Sequence, residues 1–214
     1  MAGSPLRAEL PRMVSNLVTL YDSHALRSDR LVGREWYPTA HQIVCEWAHT
    51  YERSIANVSC VIASISPQCD WPRNLIIADE TLQGHNAPSI GGALPANLRK
   101  AQRVRDERLS TLIDVFPGGP KVNSFAANLA GDYSIVTVDA HALQAALDDV
   151  TSVRTLKWAA YAVVSAAYVQ AAKRLQLQPA ELQAIVWVTW KRLHPRADKN
   201  RIKRLAKFNN GRRS

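Results

Sequence analysis

An all-α fold follows from three features of the chain. Apolar residues recur at three- and four-residue spacing nearly throughout. Helix-start chemistry recurs ahead of those runs, with Pro72, Pro95 and Pro179 in first turns and Thr39 and Asp139 as side-chain caps. Residues 134–138 form the one β-branched, extended stretch, too short to imply a sheet.

Taken in order, residues 5–21 read as an amphipathic helix with Leu10, Met13, Leu17 and Leu20 on one face. Residues 22–37 read as a polar connection ending in Trp36 and Tyr37, and Thr39 caps a helix over 40–53. Residues 57–66 are apolar enough to be a buried helix. The next helix starts at Asp70 or Trp71 and ends near Gly84, and a Gly/Pro/Asn-rich loop fills 85–93. A helix over 94–105 follows, and residues 109–116 lead into a Gly118-Gly119-Pro120 turn. That turn delivers Lys121 to a helix that stops at Gly131 and Asp132. Helices over 140–149, 153–175 and 179–193 complete the body, with Trp158, Tyr161, Tyr168, Trp187 and Trp190 expected in the core.

The 214 residues hold 27 Lys plus Arg against 18 Asp plus Glu, a net charge of +9. The last 24 residues, 191–214, carry 10 basic side chains and one acid, so the preceding 190 are balanced. A neutral body with a basic tail points to a polyanion, with a simply solvated tail as the alternative. Three cysteines, Cys45, Cys60 and Cys69, show no metal-ligand spacing and suit a reducing cytoplasm, with Cys45 and Cys60 as small buried hydrophobes. No signal peptide is expected. The longest apolar run, residues 158–169, is well short of the ~20 residues of a membrane span.

The chemistry-bearing pair is Lys121 and Asp139, an amine and a carboxylate eighteen positions apart, each at a helix start. Upstream stands Ile65-Ser66-Pro67-Gln68, followed by Asp70, Trp71 and Asn74. Gly119-Pro120-Lys121 with Val138-Asp139-Ala140-His141, and the Gln68 segment before them, resemble the helix-hairpin-helix DNA glycosylase superfamily of endonuclease III and 8-oxoguanine glycosylase. The resemblance covers roughly residues 56–149. Relative to that family the hairpin is one residue shorter, and no cysteine follows Cys69, so the iron–sulfur loop of endonuclease III has no counterpart. In this the chain looks more like compact bacteriophage members.

The resemblance implies two helical lobes flanking a DNA-binding cleft, the hairpin lobe spanning about 56–128 and the other formed by 1–55 with 129–190. It implies a monomer that acts on double-stranded DNA without metal or organic cofactor. Lys121 would attack the sugar C1′ and form a Schiff base, and Asp139 would steady positive charge on the sugar. Gln68 would fill the gap left by an extruded nucleotide. Trp71, Asn74, Gly118, Gly119, Asn123 and His141 would contact DNA. The activity implied is N-glycosidic cleavage with abasic-site lyase activity. Installation of a hypermodified base, as linked to some phage relatives, and non-catalytic DNA binding are the alternatives. Each residue also has a plain reading. Lys121 could be a solvated lysine or phosphate contact, Asp139 a helix cap, Gln68 a turn residue and Trp71 a core residue. Asn74 could bond to neighbouring backbone and His141 could make a structural hydrogen bond. The Arg99, Lys100, Arg103, Arg105 and Arg108 cluster reads as a solvated face adjoining the hairpin.

Overall fold

A computed structural model describes residues 5–111, 119–152 and 156–195. Among the described residues the regular structure is helical, with nine α-helices and no strand. A 3-10 turn at Pro5–Arg7 precedes α1 (Leu10–Thr19), whose last turn widens into a π-type turn at Leu20–His24. The amphipathic segment is therefore three pieces rather than one helix. Met13, Val14 and Leu17 still form its buried face.

The largest departure from expectation is α2 (Arg27–Thr50). Residues 27–37 are not a connection, and Thr39 lies inside the helix rather than capping it. The start is set by Asp29, whose carboxylate accepts the Leu26 amide at 3.0 Å and three hydrogen bonds from Arg192. Pro38 sits mid-helix on the exposed face, as does Arg34, whose carbonyl it deprives of a helical donor. Gly33 lets α2 approach α9 (Pro179–Leu193) closely, since a Cβ there would stand 2.5 Å from the Ile185 backbone.

The other helices are close to their sequence signals. Ser54 caps α3 (Ile55–Ile65) through the Asn57 amide. Asp70 caps α4 (Trp71–Leu82), accepting the Arg73 amide at 3.2 Å. α5 (Pro95–Asp106) and α6 (Pro120–Leu129) each begin on proline. Asp139 caps α7 (Ala140–Leu147), and Asp148, in the left-handed conformation at φ +51°, ends it. α8 spans Trp158–Leu175, starting later than expected.

Two clusters of buried apolar side chains result. One joins α2, α3, α4, α5 and α6 with Ala180 and Ala184 of α9. The other joins α1, α7, α8 and the segment around Val136 and Val138 with Leu182, Val186 and Trp190 of α9. α9 thus serves both clusters from different faces. Trp158 is not core, being 52% exposed at the first position of α8. Tyr161, Tyr168 and Trp190 are buried as expected. Cys60 is buried, and loss of hydration pushes its thiol up to about 12. Cys45 is half-buried, with its sulfur 3.4 Å from His41 Nε2. Arg105 leaves the expected solvated face. It is buried, donates to the Thr81 carbonyl and Asn86 side chain, and pairs with Asp106 at 2.6 Å. The tail from 196 onward lies outside the described residues, and no helix among them is long and apolar enough to cross a membrane.

Candidate active site

The residue that brings Lys121 and Asp139 together is Asn128. Lys121, Phe125 and Asn128 fall at i, i+4 and i+7 on α6, so they share one helix face. Asn128 is fully buried. Its amide nitrogen donates to the Asp132 and Ile135 carbonyls, both at 2.8 Å, and its oxygen accepts the Thr137 hydroxyl at 2.7 Å. Residues 132–137 are therefore sewn to the helix that carries Lys121. From the other side the Tyr161 hydroxyl of α8 donates to the Val136 carbonyl and accepts the Val138 amide, both at 2.9 Å. The extended stretch pairs with side chains instead of another strand. It delivers Asp139 to the start of α7, where Tyr168 adds a bond from its hydroxyl to the Ala142 carbonyl.

These elements enclose a cavity of about 480 Å³, within the range usual for small-ligand pockets. Lys121 and Phe125 reach it from α6, Thr137, Asp139 and His141 from the stretch into α7, and Gln68, Trp71 and Asn74 from the α3–α4 turn and α4. Trp71 and Asn74 meet the wall together because they are three positions apart on one helix. Trp71 packs against Trp36 and Phe125 at centroid distances of 5.3 and 6.3 Å, so it is a half-buried part of the wall rather than core. Asn74 is buried, and its Oδ1 has no hydrogen-bond partner among the described residues.

Gln68 is exposed on the cavity edge with φ at +65°, left-handed backbone that a non-glycine residue rarely adopts. Gly119, the residue that precedes α6, and Asn123 in its first turn lie outside the cavity wall. Asn123 is two residues beyond Lys121, about 200° around the helix, and so faces away. Gly118 lies outside the described residues. His141 is buried, with its ring edge-to-face against Trp187 at 6.3 Å.

The electrostatics divide the wall. Asp139 Oδ1 accepts the Ala142 amide at 2.8 Å, and Oδ2 accepts the Trp187 indole N–H at 3.2 Å. The Lys121 side chain is half-buried. Tyr37, buried with its hydroxyl donating to Gln183 Oε1 at 2.8 Å, has its phenol held well above the ordinary tyrosine range by loss of hydration. Burial first, then the charge of Asp70, pushes the Cys69 thiol up, which keeps it protonated and poorly nucleophilic at neutral pH.

Several wall residues escaped sequence reasoning. Trp36 and Tyr37 fall in the stretch read as a connection, and Trp187 was assigned to the core. A usable signal existed on α9, where Gln183, Trp187 and Lys191 recur at four-residue spacing and place polar groups along one stripe of an otherwise apolar helix. Asn128 carried no comparable local signal.

Fold and cavity together define an all-helical protein with an amine, a carboxylate and an aromatic wall opening on one cavity. The chain belongs to a family of unknown function, DUF7178, whose model matches residues 5–194 and so takes in every residue of the cavity wall. No curated protein and no solved structure matches the chain.

Proposed function

We propose that this protein is a DNA glycosylase-like enzyme that extrudes a nucleotide from double-stranded DNA into the cavity and cleaves its N-glycosidic bond. Lys121 then carries an abasic-site lyase step. The observation that carries the reading is the convergence of Lys121 and Asp139, from two separate helix starts, on one cavity with Gln68 at its edge. A helix-hairpin-helix glycosylase arrangement of two lobes is part of this proposal. It draws support from the two apolar clusters and from the cavity walls, which come from helices of both, with the boundary displaced from the expected one because α2, Ala180 and Ala184 pack with α3–α6.

In this scheme the unprotonated Lys121 amine forms a bond to C1′ as the glycosidic C–N bond breaks. The bonding pair leaves on the base, which takes up a proton. The sugar ring then opens, O4′ gains the proton shed by the amine, and a Schiff base remains. Asp139 lowers the cost of the positive charge that builds on the sugar as the base departs, and its two hydrogen bonds hold it ready for that role. Trp36, Trp71 and Phe125 offer flat apolar faces to an extruded base.

Borohydride reduction with an abasic duplex and a panel of damaged or modified duplexes tests this. The abasic duplex needs no base recognition, so trapping on it depends only on the nucleophile. Wild-type protein should be captured covalently. Lys121→Gln should lose capture while duplex affinity stays close to wild type. Asp139→Asn, which keeps a cap, should release base at least ~100-fold more slowly. Absence of capture on every duplex, the abasic one included, would remove the lyase step and leave Lys121 as a phosphate contact, and absence of base release as well would end the enzymatic reading.

A further inference from the structure

Trp187 does more than line the cavity. A helix cap alone fixes one oxygen of a carboxylate and leaves the group free to turn about its last bond, whose torsional preference is broad. At Asp139 the second oxygen is also tied, by the indole N–H of Trp187 at 3.2 Å. The indole is itself held from two directions. The Lys191 ammonium lies over its face, 4.2 Å from the ring centre, and His141 meets it edge-to-face at 6.3 Å and 76°. Trp187 comes from α9 and Ala142 from α7, so two different elements fix the plane of one carboxylate.

We propose that Trp187 is a positioning residue that sets the orientation of the Asp139 carboxylate towards the cavity. Its catalytic consequence rests on the glycosidic-cleavage reading above, whereas the hydrogen bond itself does not. Lys191 and His141 act one step further out, by fixing the ring that fixes the carboxylate.

The test pairs a kinetic cycle with a direct observation of the bond. Trp187→Phe keeps an aromatic ring and deletes the N–H. Single-turnover base release should slow by about 10- to 100-fold, the scale of losing one preorganised contact to a catalytic charge, with duplex affinity little changed. In an Asp139→Asn background the same substitution should change the rate by less than about 2-fold, because a residue acting through Asp139 has nothing left to orient. In wild-type protein the Trp187 indole ¹H–¹⁵N resonance, assigned by its loss in Trp187→Phe, should move and exchange faster with solvent in Asp139→Ala. Wild-type rates in Trp187→Phe would overturn the proposal. So would an equal loss in both backgrounds, which would mean that the ring touches the ligand, or an indole resonance indifferent to Asp139→Ala. If Asp139→Asn turns over normally, the glycosylase reading fails, and the resonance alone still decides whether Trp187 holds the carboxylate.

Discussion

Gln68 holds φ at +65°, a conformation that costs an L-residue about 1–2 kcal/mol relative to right-handed backbone. The turn around it is short. The Cys69 amide donates to the Ser66 carbonyl at 3.2 Å, and the Ser66 hydroxyl to the Ala63 carbonyl at 2.9 Å. Glycine would meet the same backbone demand without strain, so the glutamine side chain is the feature that needs a reason. Gln68→Gly separates the two accounts. Strain relief, offset by the greater freedom of glycine in the unfolded chain, should leave stability unchanged or raised by up to about 1 kcal/mol. If the side chain plugs the duplex, the variant should at the same time extrude a target nucleotide poorly, most of all when the target is well paired. Fluorescence of 2-aminopurine beside the target reads extrusion, and urea unfolding reads stability. Extrusion equal to wild type on paired and mismatched duplexes alike would reduce Gln68 to a turn residue.

On the scale of elements, α6 gathers the chemistry because one face carries both Lys121 and Asn128. Replacing Asn128 with Leu keeps the volume but strands two carbonyls and the Thr137 hydroxyl without their partner. The expected cost is about 2–4 kcal/mol, seen as a lower urea midpoint with unchanged slope. Cleavage should fall as well, because residues 132–137 carry Asp139. Midpoint and rate both at wild-type values would show that Asn128 does not hold that stretch. The same comparison marks what local sequence could convey. α4, α6, α7 and α9 announce themselves through Asp70, Pro120, Asp139 and Pro179, residues whose effect on a helix start is confined to one turn. The first half of α2 offers only Asp29, whose carboxylate accepts the Leu26 amide one turn back, with no Ser, Thr, Asp or Asn at the cap itself. Its start depends on Arg192, 163 positions away, and its packing on the fit of Gly33 against Ile185. Polar composition makes it look like a connection, so Trp36 and Tyr37 are missing from the expected site. Trp187 is the converse case. An apolar helix face suggests core, and periodicity does not say which part of that face meets a cavity.

For the whole molecule, the Asp29–Arg192 clamp ties the start of α2 to the end of α9, the two helices that bring Trp36, Tyr37, Gln183 and Trp187 to the cavity. Burial alone would raise the Asp29 pKa. The hydrogen bonds and charge of Arg192, with the Leu26 amide, outweigh that and hold the carboxyl below its ordinary value. A depressed folded-state pKa means that the folded protein binds fewer protons here than the unfolded chain does. The clamp's contribution is then fully present above the unfolded value of about 3.9 and is lost as pH falls through the lower folded value. Arg192 is 36% exposed, so water and salt screen part of the attraction, and the three hydrogen bonds carry most of the effect. Asp29→Asn should therefore lower stability by about 1–3 kcal/mol at neutral pH. Wild type and variant should converge on acidification, because the wild-type carboxyl becomes neutral and loses what the amide already lacks. Urea unfolding of both proteins at stepped pH from neutral to about 3 measures the gap. Parallel curves down to the lowest pH would mean that the Asp29 carboxylate does not provide the clamp. If they converge as expected, base release should show the same dependence at a temperature near the unfolding transition. It should then be insensitive to Asp29 well below that temperature, since Asp29 supports the walls of the cavity without facing it.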